Sequence, residues 1–368
     1  MSKIFSLFLL SFFFFINYSY TNAEEKLRIY SRSEWGANEE YRNINSTYWN
    51  NIFLKREKAS KIWNQKWSRY SQSKKDSIIY NNKLKSEKKE NQNKYLTKYL
   101  SSDIKIIEYN KYYGEQKLAW PVGKTEFIKN IVIHHTEYEY KNSWDGIKKI
   151  YKYHSLNREW GDIGYNFVIG KNGEIFEGRA GGDYVVGAHD TLNNRSTVGI
   201  SVIGNFDHSE INKDQYSSLK KLISYLTKKY GIDLNKKIPY HKECFGISCI
   251  NGLETRYYFP IVGHKDGKAT ACPGKNIYND TIPKLIKELQ PETKGYKNIS
   301  YTKSKKQKSE YLEEINIKYN WKKIKINFNK IPEKNKLKII NKLRIINKYE
   351  LFDWKKEILY KKLYNELK

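Results

Sequence analysis

Apolar and polar positions follow two different periods through the middle of the chain. Asn130-Ile131-Val132-Ile133-His134 is a short, branched apolar run, as expected of a buried strand. Trp144, Ile147, Ile150, Tyr151 and His154 recur at helical spacing. Tyr165 to Gly170 and Glu174 to Glu177 flank Lys171-Asn172-Gly173, where Asn-Gly predicts a hairpin turn. Thr197 to Ile203 reads as a second buried strand, and Tyr216, Leu219, Leu222, Ile223 and Leu226 mark an amphipathic helix. A last strand is expected over Phe259 to Val262 and a final helix over Tyr278 to Leu289. Strands alternating with helices predict an α/β fold: a central mixed, largely parallel β-sheet flanked by helices.

The pattern changes outside that region. Residues 41–117 are rich in Lys, Asn, Ser and Tyr and contain no proline; Trp63 and Trp67 stand four apart. This stretch is expected to be a helical insertion without chemistry of its own. Residues 291–368 hold one glycine, two prolines and many lysines, and predict a C-terminal helical extension. At the other end, Lys3 precedes an apolar run from Ile4 to Ile16, broken only by two serines. That run is shorter than the ~20 residues needed to span a bilayer. With Thr21-Asn22-Ala23 after it, it has the pattern of a secretory signal peptide over 1–23. The expected mature chain begins near Glu24, has no transmembrane segment and works outside the cytoplasm. The domain expectation is thus 24–290 for the main domain and 291–368 for the extension.

Charge sharpens this organisation. The chain of 368 residues has 68 Lys+Arg and 40 Asp+Glu, a net charge of +28. Residues 121–290 carry only +5, whereas 291–368 hold 22 basic against 9 acidic residues. An anionic partner is the natural inference: nucleic acid, membrane surface or acidic wall polymer. No nucleic-acid-binding motif is visible, so no specific nucleic acid is expected. The enrichment in Lys, Asn, Ile and Tyr also matches AT-biased coding, which needs no partner. Cys244 and Cys249, five apart, would close a small disulfide loop in an oxidising compartment, or serve as paired metal ligands. Cys272 is left over and needs a metal, a reaction or a partner.

Chemistry concentrates in Ile133-His134-His135-Thr136 and in the run from Gly263-His264-Lys265-Asp266 to Ala271-Cys272-Pro273-Gly274. Two imidazoles and a thiolate are good zinc ligands, and three protein ligands leave one tetrahedral position open. These candidates come from distant parts of the chain, so spacing alone leaves a buried histidine and a buried thiol as the alternatives.

The ordered set of motifs resembles the peptidoglycan recognition protein and type 2 N-acetylmuramoyl-L-alanine amidase superfamily, which includes T7-type lysozyme. The matching pieces are Ser31-Arg32-Ser33-Glu34-Trp35-Gly36-Ala37, Ile133 to Thr136, Trp160-Gly161-Asp162-Ile163-Gly164-Tyr165-Asn166-Phe167 and Ile175-Phe176-Glu177-Gly178-Arg179. Val186-Gly187-Ala188-His189, Ser196-Thr197-Val198-Gly199-Ile200 and the His264 to Gly274 run complete it. The resemblance covers roughly 26–40 and 118–290. It implies that His134, His264 and Cys272 bind one catalytic Zn2+. Tyr165 and Thr270 stand at catalytic positions, and His135, His189 and Arg179 are implied to contact substrate. Asp266 is expected to orient the ligand loop. His154, His208 and His241 are read as structural or surface residues. The implied activity is hydrolysis of the amide between N-acetylmuramic acid and L-alanine of peptidoglycan, with peptidoglycan and muropeptides as partners. The alternative is a recognition protein that binds peptidoglycan without cutting it. The basic extension is a candidate contact for anionic cell-wall polymer.

Overall fold

A computed structural model describes residues 27–84, 106–113, 115–243, 253–301 and 304. The expected signal peptide, the Cys244–Cys249 loop and nearly all of the extension lie outside the described residues. The central sheet has six strands: β1 (Ile29–Tyr30), β4 (Asn130–His135), β5 (Phe167–Ile169), β6 (Ile175–Glu177), β7 (Thr197–Val202) and β10 (Ile261–Gly263). Their order is β1-β6-β5-β7-β4-β10. Every pairing is parallel except β5 with β6, which the Asn172-Gly173 hairpin joins. Gly173 turns the chain at φ +79°, a conformation that suits residues without a Cβ.

β4 and β7 are buried along their whole length, which explains their unbroken apolar runs. Helices pack against the sheet. Among them α2 (Ser143–Lys152) turns Ile147, Ile150 and Tyr151 inward against Trp35, Ile163, Val168 and Phe176. α3 (Lys213–Tyr230) begins at a capping box of Asn212 with Gln215 and ends at Gly231 in the left-handed region, φ +64°. A further helix, α5 (Ile282–Thr293), buries Leu285 and Leu289. It follows the short α4 (His264–Gly267), which begins where β10 ends.

Two expectations need correcting. The insertion is helical over α1 (Thr47–Ser68) and again over 72–84. From Ile106, however, it is a strand: β2 (Ile106–Tyr113) pairs antiparallel with β3 (Gln116–Thr125). Ile106, Ile107, Tyr109, Tyr112 and Tyr113 favour strands, and the pairing partner extends well past the expected boundary at 117. The second concerns residue 290, which falls inside α5; the first compact unit runs to Ser300. The reason is backbone pairing, since Ile299 donates its N–H to the Tyr230 carbonyl at 2.9 Å. Tyr184 Oη donates back to the Ile299 carbonyl at 2.8 Å.

A third small ribbon joins β8 (Ile238–Glu243) to β9 (Leu253–Tyr258). Tyr240 from this ribbon packs on Val132 and Val262, closing the sheet beside the site.

Candidate metal centre

Parallel pairing explains how ligands far apart in the chain meet. β4 and β10 are neighbours in register Ile131 with Ile261, Val132 with Val262 and Ile133 with Gly263. The next residue after each last pair is His134, still on β4, and His264, the first of α4, so both imidazoles leave the same sheet end side by side. Their ring centroids are 4.6 Å apart. Strand C-termini of α/β sheets are where such sites form. Cys272 arrives on the loop after α4, which is tied back by a bond from Lys265 N–H to the Cys272 carbonyl at 2.9 Å. Cys272 Sγ lies 3.6 Å from His134 Nδ1 and accepts from the His135 N–H at 3.4 Å.

One ligand atom each from His134, His264 and Cys272 lies within 4.8 Å of the others. This set suits a zinc ion. Ligands at about 2.3 Å (sulfur) and 2.0–2.1 Å (nitrogen) across a tetrahedral angle stand about 3.5 Å apart. The Cys272 Sγ–His134 Nδ1 separation matches that. Burial lowers His134 well below the usual histidine range and His264 to about 4, so both imidazoles are neutral, the ligating form. Burial also pushes the Cys272 thiol up to about 12. A coordinated cation reverses that preference, because a metal-bound thiol is deprotonated outright.

The short helix presenting His264 is pinned by Asp266. Its Oδ2 accepts the Gly263 N–H at 2.9 Å and its Oδ1 accepts Tyr278 Oη at 2.6 Å. The orienting role expected of Asp266 thus has a concrete form. Thr270 Oγ1 accepts the Cys272 N–H at 3.3 Å, so its hydroxyl braces the sulfur-bearing loop.

Tyr165 lies beside the cluster, its ring 5.1 Å from that of His134. Burial and the neighbouring Cys272 raise its phenol above the usual range, so the hydroxyl stays protonated. The segment that delivers Tyr165 is clamped by Asp162. This carboxylate accepts from Arg32 Nη1 at 3.1 Å and from the Ile163 and Ala180 N–H groups, and forms an ion pair with Arg42 Nε at 3.1 Å. Part of the Ser31 to Ala37 motif is explained here: Arg32 serves the clamp, and Trp35 Nε1 donates to the Glu177 carbonyl at 2.8 Å. His154 is buried and accepts the Gly164 N–H on Nδ1 at 3.1 Å, consistent with its structural reading.

The three residues expected to contact substrate are all buried, and Arg179 also lines a cavity with Asn166, Glu177 and Tyr184. His135 Nδ1 accepts the Phe206 N–H at 3.3 Å. Arg179 is 4% exposed and spends Nη1 on the Ile163 carbonyl at 3.0 Å, bracing the Tyr165 segment from below. His189 lies behind His134, with Nδ1 3.1 Å from His134 Nε2. Each side chain has a polar partner that sequence spacing does not reveal. Sequence reasoning also missed Asp190, Asn193 and Tyr240. Tyr240 Oη donates a short bond to Asp190, whose carboxyl burial raises to about 6. No local motif marks this trio, because Tyr240 comes from the β8–β9 ribbon.

Comparison with known proteins gives the family. The sequence profile of the family described as N-acetylmuramoyl-L-alanine amidase (Amidase_2) matches residues 124–275. Peptidoglycan-recognition protein SC2 of Drosophila simulans is 32% identical over 172 residues, 46% of this chain and 80% of that protein. The SC2 protein of Drosophila melanogaster is 31% identical over 181 residues, 48% of this chain and 84% of its own length. Among solved structures, the N-acetylmuramoyl-L-alanine amidase LysC from Clostridium intestinale URNW aligns with TM-score 0.33 and 30% identity, covering 44% of this chain and 86% of LysC. With that much of two recognition proteins matched at this identity, the chain belongs to the peptidoglycan-recognition protein and type 2 N-acetylmuramoyl-L-alanine amidase family.

Proposed function

We propose that the protein is a zinc-dependent N-acetylmuramoyl-L-alanine amidase that cuts the bond between N-acetylmuramic acid and L-alanine of peptidoglycan. One observation carries the reading: His134, His264 and Cys272 bring three zinc-type ligand atoms within 4.8 Å at the end of a parallel sheet. Family membership alone leaves amidase and recognition roles open; an intact ligand set favours the amidase.

In this reading His134, His264 and Cys272 hold the ion. When bound, it supplies Lewis acidity toward an amide carbonyl and acidifies water to a pKa of about 7. The chain's own groups do the rest. Tyr165 keeps its proton and donates a hydrogen bond to the oxygen on which negative charge develops. Thr270 holds the Cys272 loop through the Cys272 N–H. Asp266 holds the His264 turn. Lys3, the apolar run to Ile16 and Ala23 support action outside the cytoplasm after removal of 1–23. The basic residues beyond Ser300 are proposed to keep the enzyme near anionic wall polymer.

The test is mass spectrometry of defined muropeptides incubated with the full chain, with zinc and with a chelator. Zinc-dependent release of free stem peptides is expected, abolished by chelator and by Cys272→Ser. Binding of muropeptides by the zinc-loaded protein without any cleavage would establish the recognition role instead.

A further inference from the structure

Polar groups run in series from the metal centre into the sheet. His134 Nε2 is 3.1 Å from His189 Nδ1, and His189 Nε2 is 3.4 Å from Thr197 Oγ1. The Thr197 hydroxyl donates to the Asn193 carbonyl at 2.8 Å. All three side chains are buried: His134 is 1% exposed, His189 7% and Thr197 0%.

The proton positions follow from the far end. Thr197 has one hydroxyl hydrogen, and Asn193 takes it, so toward His189 the Thr197 oxygen can only accept. His189 must then carry its hydrogen on Nε2. A neutral imidazole protonated there presents a bare Nδ1, an acceptor, to His134 Nε2. His134 therefore carries hydrogen on Nε2 and leaves Nδ1 bare. That bare nitrogen is the one 3.6 Å from Cys272 Sγ.

The backbone makes room for this array. A Cβ on Gly187 would come within 2.4 Å of the His189 ring, and one on Gly199 within 2.5 Å. The His189 N–H is itself anchored on Asn194 Oδ1 at 2.9 Å.

We propose that His189 is a positioning residue: it selects the tautomer and ring orientation of His134 that aim Nδ1 at the metal, with Thr197 and the Asn193 carbonyl as the fixed end of the line. The proposal rests on the zinc-ligand reading of His134, His264 and Cys272. Metal-bound histidines commonly donate their second nitrogen to a carboxylate or carbonyl. Here a neutral imidazole relays the same constraint without placing a negative charge in the interior.

The experiment measures zinc affinity of the full chain by chelator competition for wild type, His189→Asn and His189→Ala. Long-range 1H–15N NMR of the zinc-loaded wild type assigns the His189 hydrogen. In His189→Asn the introduced amide oxygen would stand near the place of Nδ1, so this variant is expected to bind zinc within a few-fold of wild type. His189→Ala is expected to bind about 10- to 100-fold more weakly. NMR is expected to find His189 protonated on Nε2. Unchanged affinity in His189→Ala, or a His189 hydrogen on Nδ1, overturns the proposal. If His189→Ala fails to fold by circular dichroism, the NMR assignment on wild type still decides. A wild type that binds no zinc, or a Cys272→Ser variant with unaltered affinity, defeats the metal reading itself, which is a different result.

Discussion

Tyr165 shows what one side chain can be asked to do. Its hydroxyl is protonated by reason of burial, and its ring stands beside that of His134. A donor aimed at developing negative charge is worth about 10²–10³ in kcat. Tyr165→Phe is expected to lower kcat on muropeptides by that factor while KM and zinc content stay near wild type. Steady-state kinetics with metal analysis checks this, and a variant retaining kcat within threefold would remove Tyr165 from the chemistry. At this scale the cluster of His134, His264 and Cys272, with Tyr165 beside it, is legible through its motifs, because each sits in a run with few other uses. The same motifs point Arg179, His135 and His189 toward substrate; in the structure all three are buried and hydrogen-bonded within the chain. A motif names a residue, but only its hydrogen-bond partner fixes where the side chain points.

The elements carry a different part of the work. The segment from His154 to Tyr165 is held by the Asp162 clamp and by His154 accepting from Gly164. Burial first, then Arg158 and Arg179, depress His154 from 6.5 to about 3. Between these values the unfolded chain binds a proton that the folded chain refuses. Stability from this group is complete above about pH 7.5 and is lost as pH falls through 6.5 toward 3. Between about pH 7.5 and 5.5 the loss is about 1.4 kcal/mol. Asp190, raised to about 6, acts in the opposite sense below that pH, so the comparison must be differential. Urea unfolding with chelator at both pH values should show a pH dependence shallower by about 1–1.5 kcal/mol in His154→Asn than in wild type. An equal dependence in both would show that His154 does not titrate this way. The long helices and buried strands could be read from periodicity. The β2–β3 ribbon could not, since β2 is almost wholly exposed and held by its pairing with β3, while β3 buries only Leu118, Gly123 and Thr125.

For the whole molecule, the compact unit ends at Ser300, and the structure decides where a truncation should be made. Cutting at 290 would remove the end of α5 and the Ile299 contact with Tyr230 and Tyr184. A chain ending at Ser300 should instead keep its fold and its hydrolysis of soluble muropeptides. Its binding to wall sacculi should weaken and become less sensitive to salt, since the extension beyond it is strongly basic. Pull-down on sacculi at two salt concentrations measures this; equal binding by both chains would separate the extension from wall attachment.

The sequence by itself determined which residue types could build a zinc centre, the alternation that makes an α/β sheet, and the order of motifs shared with the family. Those are local properties: hydrophobic period, turn chemistry and short runs of residues. Only the tertiary structure decided that Gly263 pairs with Ile133, which sets His134 beside His264, and that Cys272 folds back onto both. It alone placed His189 within hydrogen-bond distance of His134. The reason is physical: parallel pairing and buried hydrogen bonds join groups far apart in the chain, and their energy depends on distance in space, which spacing in sequence does not encode.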